Sequence, residues 1–429
     1  MNDQPWMKSP VTREALEQAM RDDKLVLFYQ PKVSLLSGDV IGAEALVRWT
    51  NGSNEVLSPD EFLPLVQSSG LLHDLTVQLL DQLVDASRTL RTADRPAGRP
   101  PTHALPLVED QSGNSLSLSI NVAPDDLASH IISNRIEQLL KAGTIVPTDL
   151  QIEITESAVM GNVDRVYDDL LRLKQMGIRI LMDDFGTGHS SIDRLSQLPF
   201  DALKLDQGVV KRMGTSRQNL DVVRSAISMA RELGMTSVAE GIESAAVYNF
   251  LIAHGCEEGQ GYFLGRPMSL SEFMDFVAIE HDFEGSQIGR VHQASLNLLR
   301  FRKTLVDAAF CSRVGDGIAL QSVADPGLQT EVARSRLGLW YFGIGQRLLD
   351  YEVFRQIEAP LRLVHASGIA FLQQLDDRSS TVDQDQALAG IDQQIDRLIS
   401  LLHALERQIL VDAPATASAT ATADKHPGH

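Results

Sequence analysis

A recurring pattern in this chain places oxygen-bearing side chains where short apolar runs come to a stop. Glu44 closes VIGAE and Asn121 ends SLSLSIN; Glu153 and Glu156 close LQIEITE, and Asp183 and Asp184 follow RILM. Lys204 and Asp206 end DALKLD, and Glu240 and Glu243 fall in TSVAEGIE. Gathered at one place, unpaired acids would repel one another and resist desolvation. Divalent cations remove that cost, and oxygen ligands select Mg²⁺ or Mn²⁺ over Zn²⁺. Any one such acid could equally cap a helix or pair with a nearby Lys or Arg. Repetition at five strand ends, in runs that otherwise exclude acids, points instead to a shared site.

The elements that would gather them follow from periodicity. LVLFYQPKVSL and VIGAEALVRW are separated by the turn signal SGD, as in a hairpin. DEFLPLVQSSG and LLHDLTVQLLDQLVDASRTL have helical period, and the Pro-rich polar stretch 91–114 reads as a surface insertion. Strand-like SLSLSINVA, LQIEITES, RILMDDFGTG, DALKLDQGVV and MTSVAEGI then alternate with amphipathic helices up to about residue 264. Such alternation implies parallel strands with helical crossovers. With no GxGxxG after the first strand, a TIM-like (β/α)8 barrel is favoured over a dinucleotide-binding sheet. In a barrel the C-terminal strand ends converge on one mouth. Parity puts Glu153 and Thr155 on one face of their strand, and Lys204 and Asp206 on one face of theirs.

Strand signals end near residue 286. In IDQQIDRLISLLHALERQIL, residues Ile391, Ile395, Leu398, Leu402, Leu405 and Ile409 recur at spacings of four and three, a heptad seam. The expected organisation is therefore a barrel over 1–280, an all-α helical bundle over 286–411 and a low-complexity disordered tail over 412–429. A net charge of −19 argues against general nucleic-acid binding, and 5% aromatic content against a stacking platform for single strands. Two cysteines without paired spacing suit a reducing compartment. The lack of a signal core or an apolar run of membrane-spanning length points to a cytoplasmic chain with no membrane insertion.

Eight motifs stand in the order of a known family: YQPKVSLLSG, EALVRW, SINVAP, IEITES, MDDFGTGHSS, LKLD, VAEGIE and GQGYFLGRP. Over roughly residues 10 to 280 the chain resembles the EAL-domain cyclic di-GMP phosphodiesterases. The resemblance implies two Mg²⁺ or Mn²⁺ ions per site, with Glu44, Asn121, Glu153, Asp183 and Asp184 as metal ligands. It further implies that Glu240 serves as general base, with Lys204 orienting the attacking water and Asp206 joining the catalytic set through a water near the second metal, and that cyclic di-GMP is opened to linear pGpG. Gln30, Leu46, Arg48 and Gln260 match its substrate contacts, and Glu156 and Glu243 match positions that shape the site. Glu156 would hold the DDFGTGHSS loop, where Gly186 and Gly188 allow turns. His189 and Ile192 depart from the commoner Tyr and Leu, and no ligand position is lost. The alternative function is a receptor that binds the dinucleotide without cutting it and signals through the bundle. No GGDEF-like synthase motif occurs.

Residues 290 to 375 resemble the chemoreceptor zinc-binding domain, whose three His and one Cys would fall near Leu298, Ser335, Leu361 and His365. Only His365 retains a ligand atom, so no zinc is expected there. A homodimer is expected from the loop at 183–191 and from the heptad seam.

Overall fold

In a computed structural model of the protein, the described residues are 12–51, 55–92, 116–156, 163–186, 195, 197–279, 281, 283, 287–314, 331–376 and 384–412. Most of the Pro-rich stretch, Gly188, His189, Ile192 and residues 413–429 lie outside them. The chain divides into two compact units, residues 1–248 with 256–284, and 249–255 with 285–429.

The SGD turn joins β1 (Leu25–Ser34) to β2 (Val40–Asn51) as an antiparallel hairpin with Leu25 opposite Trp49 and Gln30 opposite Glu44. From β2 the sheet continues in parallel through β4 (Ser117–Asn121), β5 (Leu150–Thr155), β6 (Arg179–Phe185), β7 (Ala202–Leu205), β8 (Thr236–Ala239) and β9 (Glu258–Gly259). β9 pairs with β1 and closes an eight-stranded barrel, while β3 (Glu55–Leu57) pairs with β2 alone. The barrel fold read from the sequence is present, with one strand, β1, running against the rest.

That hairpin corrects one detail. Glu44 does not end its strand; β2 runs seven residues further because β1 and then β3 supply antiparallel partners to its second half. Glu44 nonetheless lies near the end of the parallel pairing with β4, which covers 42–45, so it reaches the same mouth.

Crossovers follow the amphipathic segments: α2 (Pro59–Ser68) and α3 (Leu72–Thr92), α4 (Pro124–Ala128) and α5 (Ile131–Lys141), α6 (Val163–Gln175), α7 (Gln207–Arg212) and α8 (Arg217–Glu232), then α9 (Ala245–Ala253). α1 (Arg13–Arg21) precedes the barrel and α10 (Leu270–Ala278) follows β9. α10 begins with a reciprocal cap: Ser269 N donates to Glu272 Oε2 at 2.8 Å, and Glu272 N donates to Ser269 Oγ. Along the strands, Ile152, Ile154, Leu203 and Leu205 are fully buried, opposite in parity to Gln151, Glu153 and Lys204.

The second unit contains α11 (Gln287–Val314), α12 (Arg336–Phe342), α13 (Glu352–Arg355), α14 (Glu358–Asp376) and α15 (Gln384–Asp412). Its core joins Leu298, Leu305, Trp340, Tyr341, Phe354 and Leu361 to the whole α15 seam. Tyr341 stacks on Phe354 at 4.6 Å between ring centres, with Trp340 edge-on to the same ring at 5.7 Å. The seam residues are thus consumed within one chain, because α11 and α14 already cover that face of α15. As a dimer contact the seam is corrected: a face buried in its own core offers nothing to a second copy. No helix among the described residues is long and apolar enough to cross a membrane.

Because Leu398 is fully buried in this core, Leu398→Ala should cost about 2–5 kcal/mol through lost burial and a cavity. Urea denaturation followed by circular dichroism measures it, and a loss under about 1 kcal/mol would contradict the packing described.

Candidate active site

Lys204 on β7 is completely buried, and four strands or strand ends bring it carboxylates. Its Nζ lies 2.6 Å from Glu240 Oε1, 3.1 Å from Asp183 Oδ1 and 3.4 Å from Glu44 Oε2, and it contacts Glu153 Oε2 more closely still. Register explains the convergence: Asn121 pairs with Glu153 across β4 and β5, and Thr155 with Asp183 across β5 and β6. Glu240 follows β8 directly.

Two amides tie the acids together. Asn121 Nδ2 donates to Glu44 Oε1 at 2.7 Å, which leaves its carbonyl oxygen as the ligand atom it can offer. Gln260 Nε2 donates to Glu44 Oε2 at 2.6 Å and to Glu240 Oε1 at 3.0 Å. Gly261 permits this approach, since a Cβ there would lie 2.2 Å from the backbone nitrogen of Ile242.

Electrostatics follow from burial and crowding. Burial alone would lower the Lys204 ammonium, but Glu153, Glu240, Glu44 and Asp183 reverse the sign and hold it well above its ordinary value. Burial raises Glu44, and repulsion from Glu153 adds to that; Asp183 is raised by the same two causes. Burial pushes Glu240 up to about 8. Glu153 escapes this trend: burial would raise it, yet Lys204 and Lys32 bring it down to about 2.

The arrangement fits hard divalent cations. Glu44, Glu153 and Asp183 each present an oxygen within 4.8 Å of the others. All donors are oxygens, and the buried Oε1 of Gln260 has no hydrogen-bond partner among the described residues. Among the described residues, Lys204 faces four carboxylates and Lys32 faces one of the same four, Glu153, so the acids outnumber the buried ammonium groups.

The remaining expected residues fall around this centre. Asp184 is next to it in a left-handed conformation (φ 58°), where the β6–β7 pairing shifts register between Met182 and Phe185. Such a conformation at a non-glycine residue is a local cost that marks a constrained site. Asp206 lies beyond the end of β7, and its Oδ1 caps α7 by accepting from Gly208 N and Val209 N. Glu156 is buried and accepts from Gly186 N at 3.1 Å, gripping the first residue after β6. Gln30 is buried opposite Glu44 and donates to the Gly265 carbonyl, while Leu46 and Arg48 are half-buried further along β2. Glu243 stands apart from the cluster in an exposed pair with Lys211.

Lys32, which received no role from the sequence, is buried beneath the cluster. Arg179, which also acts on Lys32 electrostatically, forks onto both oxygens of the buried Glu258. A signal was present: Gln30 and Lys32 are two apart on one strand, hence on one face.

A model of the EAL domain matches residues 13–267. The cyclic di-GMP phosphodiesterase RocR of Pseudomonas aeruginosa is 35% identical over 251 residues, covering 58% of this chain and 59% of that protein. NbdA, a cyclic di-GMP phosphodiesterase of the same organism, is 32% identical over 264 residues, 62% of this chain and 31% of that protein. The match thus spans less than two thirds of either relative's length. The structure of the P. aeruginosa phosphodiesterase MucR in complex with c-di-GMP aligns at TM-score 0.52 and 32% identity, over 61% of this chain and 98% of that one. With the family model covering more than half of its residues, the chain belongs to the EAL domain family.

Proposed function

We propose that the protein is a metal-dependent phosphodiesterase that hydrolyses cyclic di-GMP to linear pGpG. The observation that carries this reading is the completeness of the acid cluster: Glu44, Glu153, Asp183 and Glu240 meet at one buried point, with Asn121 and Asp184 at its edge. A receptor that only binds the dinucleotide has no need of so costly a collection of buried charge, which favours hydrolysis over the receptor reading.

Glu44, Asn121, Glu153, Asp183 and Asp184 would hold two Mg²⁺ or Mn²⁺ ions. Divalent cations held by such oxygens supply Lewis-acid stabilisation of a phosphate's developing charge and acidify water. The chain's own residues do the rest. Glu240, lifted by burial to about 8, in its ionised form accepts a proton from the water that attacks phosphorus. The P–O3′ bond breaks and the departing 3′ oxygen takes a proton from solvent, leaving a 5′-phosphate and a free 3′-hydroxyl. Lys204, kept protonated by its four acids, holds that water and offsets phosphate charge. Arg48 presents a planar fork suited to the second phosphate, and Gln30 lies on the neighbouring strand. Gln260 orients Glu44 and Glu240 together, and Asp206 serves by anchoring the start of α7.

The bundle is read as regulatory and zinc-free. Where ligands would be needed, Leu298 and Leu361 belong to its apolar core, and Ser335 Oγ caps α12 by accepting from Gly338 N. Pairing of two copies remains part of the proposal on the strength of the loop beginning at Asp183, which Glu156 grips.

Three outcomes are expected. Purified protein with Mn²⁺ should convert cyclic di-GMP to pGpG on chromatographic product analysis. Glu44→Ala should lose more than the ~10–100-fold that loss of an outer-sphere partner costs; binding without turnover by the wild type would make the protein a receptor. Second, Glu44 and Asp183 are raised above the ordinary carboxylate range, and Glu240 beside them to about 8, so protons compete with metal for this cluster. Apparent Mn²⁺ affinity should therefore climb with pH up to about 8, with proton release in calorimetry, and a flat profile between about pH 6 and 8 would refute this. Third, light scattering at micromolar protein should give twice the chain mass; a fully active monomer would sink the pairing.

A further inference from the structure

We infer that Lys32 is a positioning residue for the metal centre, gripping one oxygen of Glu153 from below so that the other is presented at the mouth. Lys32 is 1% exposed on β1, the strand that runs against the rest of the barrel. Its Nζ donates to Gln151 Oε1 at 2.7 Å, Ser119 Oγ at 2.9 Å and Glu153 Oε1 at 3.3 Å. Those three acceptors match the three N–H bonds of an ammonium group, so the head is fully committed. Gln151 is itself fixed, because its Nε2 donates to Ser117 Oγ at 2.7 Å.

The consequence lies in Glu153, which is wholly buried. Its Oε1 faces Lys32 and its Oε2 faces Lys204 and the other acids. A carboxylate free to rotate can chelate a cation with both oxygens or swing away from it. With Oε1 held from below, Oε2 is the oxygen turned toward the other acids, and the grip on Oε1 is set by β1, β4 and β5 together. Partners outside the ligand sphere commonly fix ligand orientation in this way. Lys32 is also attracted by Glu258, which is itself paired with Arg179. A purely structural role for Lys32 would stabilise the barrel without passing through Glu153.

This rests on the proposed metal-dependent reading only in taking Glu153 as a ligand. The test uses the full chain and Mn²⁺ alone, titrated by electron paramagnetic resonance, for wild type, Lys32→Met, Glu153→Gln and the double variant. Lys32→Met should bind Mn²⁺ about 10–100-fold more weakly. In the Glu153→Gln background the same change should add no more than about twofold, because the route of its action is already gone. Mn²⁺ affinity of Lys32→Met within about twofold of wild type, or independent losses that multiply in the double variant, would overturn the inference. A wild type without a Mn²⁺ site overturns it as well. Where Lys32→Met does not fold, Lys32→Gln keeps a donor for Gln151 while withdrawing the charge from Glu153, and the same criteria apply. Cyclic di-GMP turnover is scored separately: its absence in a wild type that binds Mn²⁺ defeats the phosphodiesterase reading, while the titrations alone decide Lys32.

Discussion

At the barrel mouth a single ammonium group, that of Lys204, is shared among Glu44, Glu153, Asp183 and Glu240. In a buried, poorly screened place this sharing is what lets so many acids coexist, and it falls short of balancing them. The barrel interior answers with alternating charge. Lys32 pairs with Glu153 and is attracted by Glu258, and Glu258 is paired in turn with Arg179. Removing one member of such a buried set strands its partner, a loss of about 3–5 kcal/mol. These pairs therefore tie together the strands that carry them.

The backbone bends to serve this interior. β1 runs against its neighbours and so delivers Gln30 and Lys32 from a direction no parallel strand could. β6 slips register against β7 where Asp183 and Asp184 must point to different places, and Asp184 takes a positive φ to allow it. Gly261 lets the chain pass within contact of Ile242 so that Gln260 reaches two acids at once. Each is a small local cost set against a gain in placement.

How much of this was legible in the sequence depended on whether a local rule sufficed. Period-two alternation is local, so the facing of Glu153 and Lys204 could be read directly. The role of Lys32 could not, since it needs Ser119, Gln151 and Glu153 from strands more than eighty residues away. Asp206 shows the opposite limit: the same parity placed it on the Lys204 face, but the strand stops at Leu205 and the residue turns to cap α7. Glu243 matched a motif, yet its position beyond β8 carries it to an exposed pair with Lys211. The seam of α15 was visible as a pattern of fours and threes, which states that a face is buried and not what buries it. Here α11 and α14 of the same chain do so.

The identity of the central cation follows from the same constraint. An arginine at position 204 would commit its planar fork to one carboxylate and leave three others in a buried site with no counter-charge. A lysine is a compact charge on a flexible stem with three donors, which can be divided among four acceptors and redirected by small rotations. The oxygens it touches, Oε2 of Glu44 and of Glu153 among them, belong to the acids grouped closely enough to bind a cation. A group in that position has to hold the acids together and also yield to a competitor without collapse of the walls. Lys204 can yield because the walls do not depend on it alone: Glu153 is held from below by Lys32, and Glu44 from the side by Asn121 and Gln260.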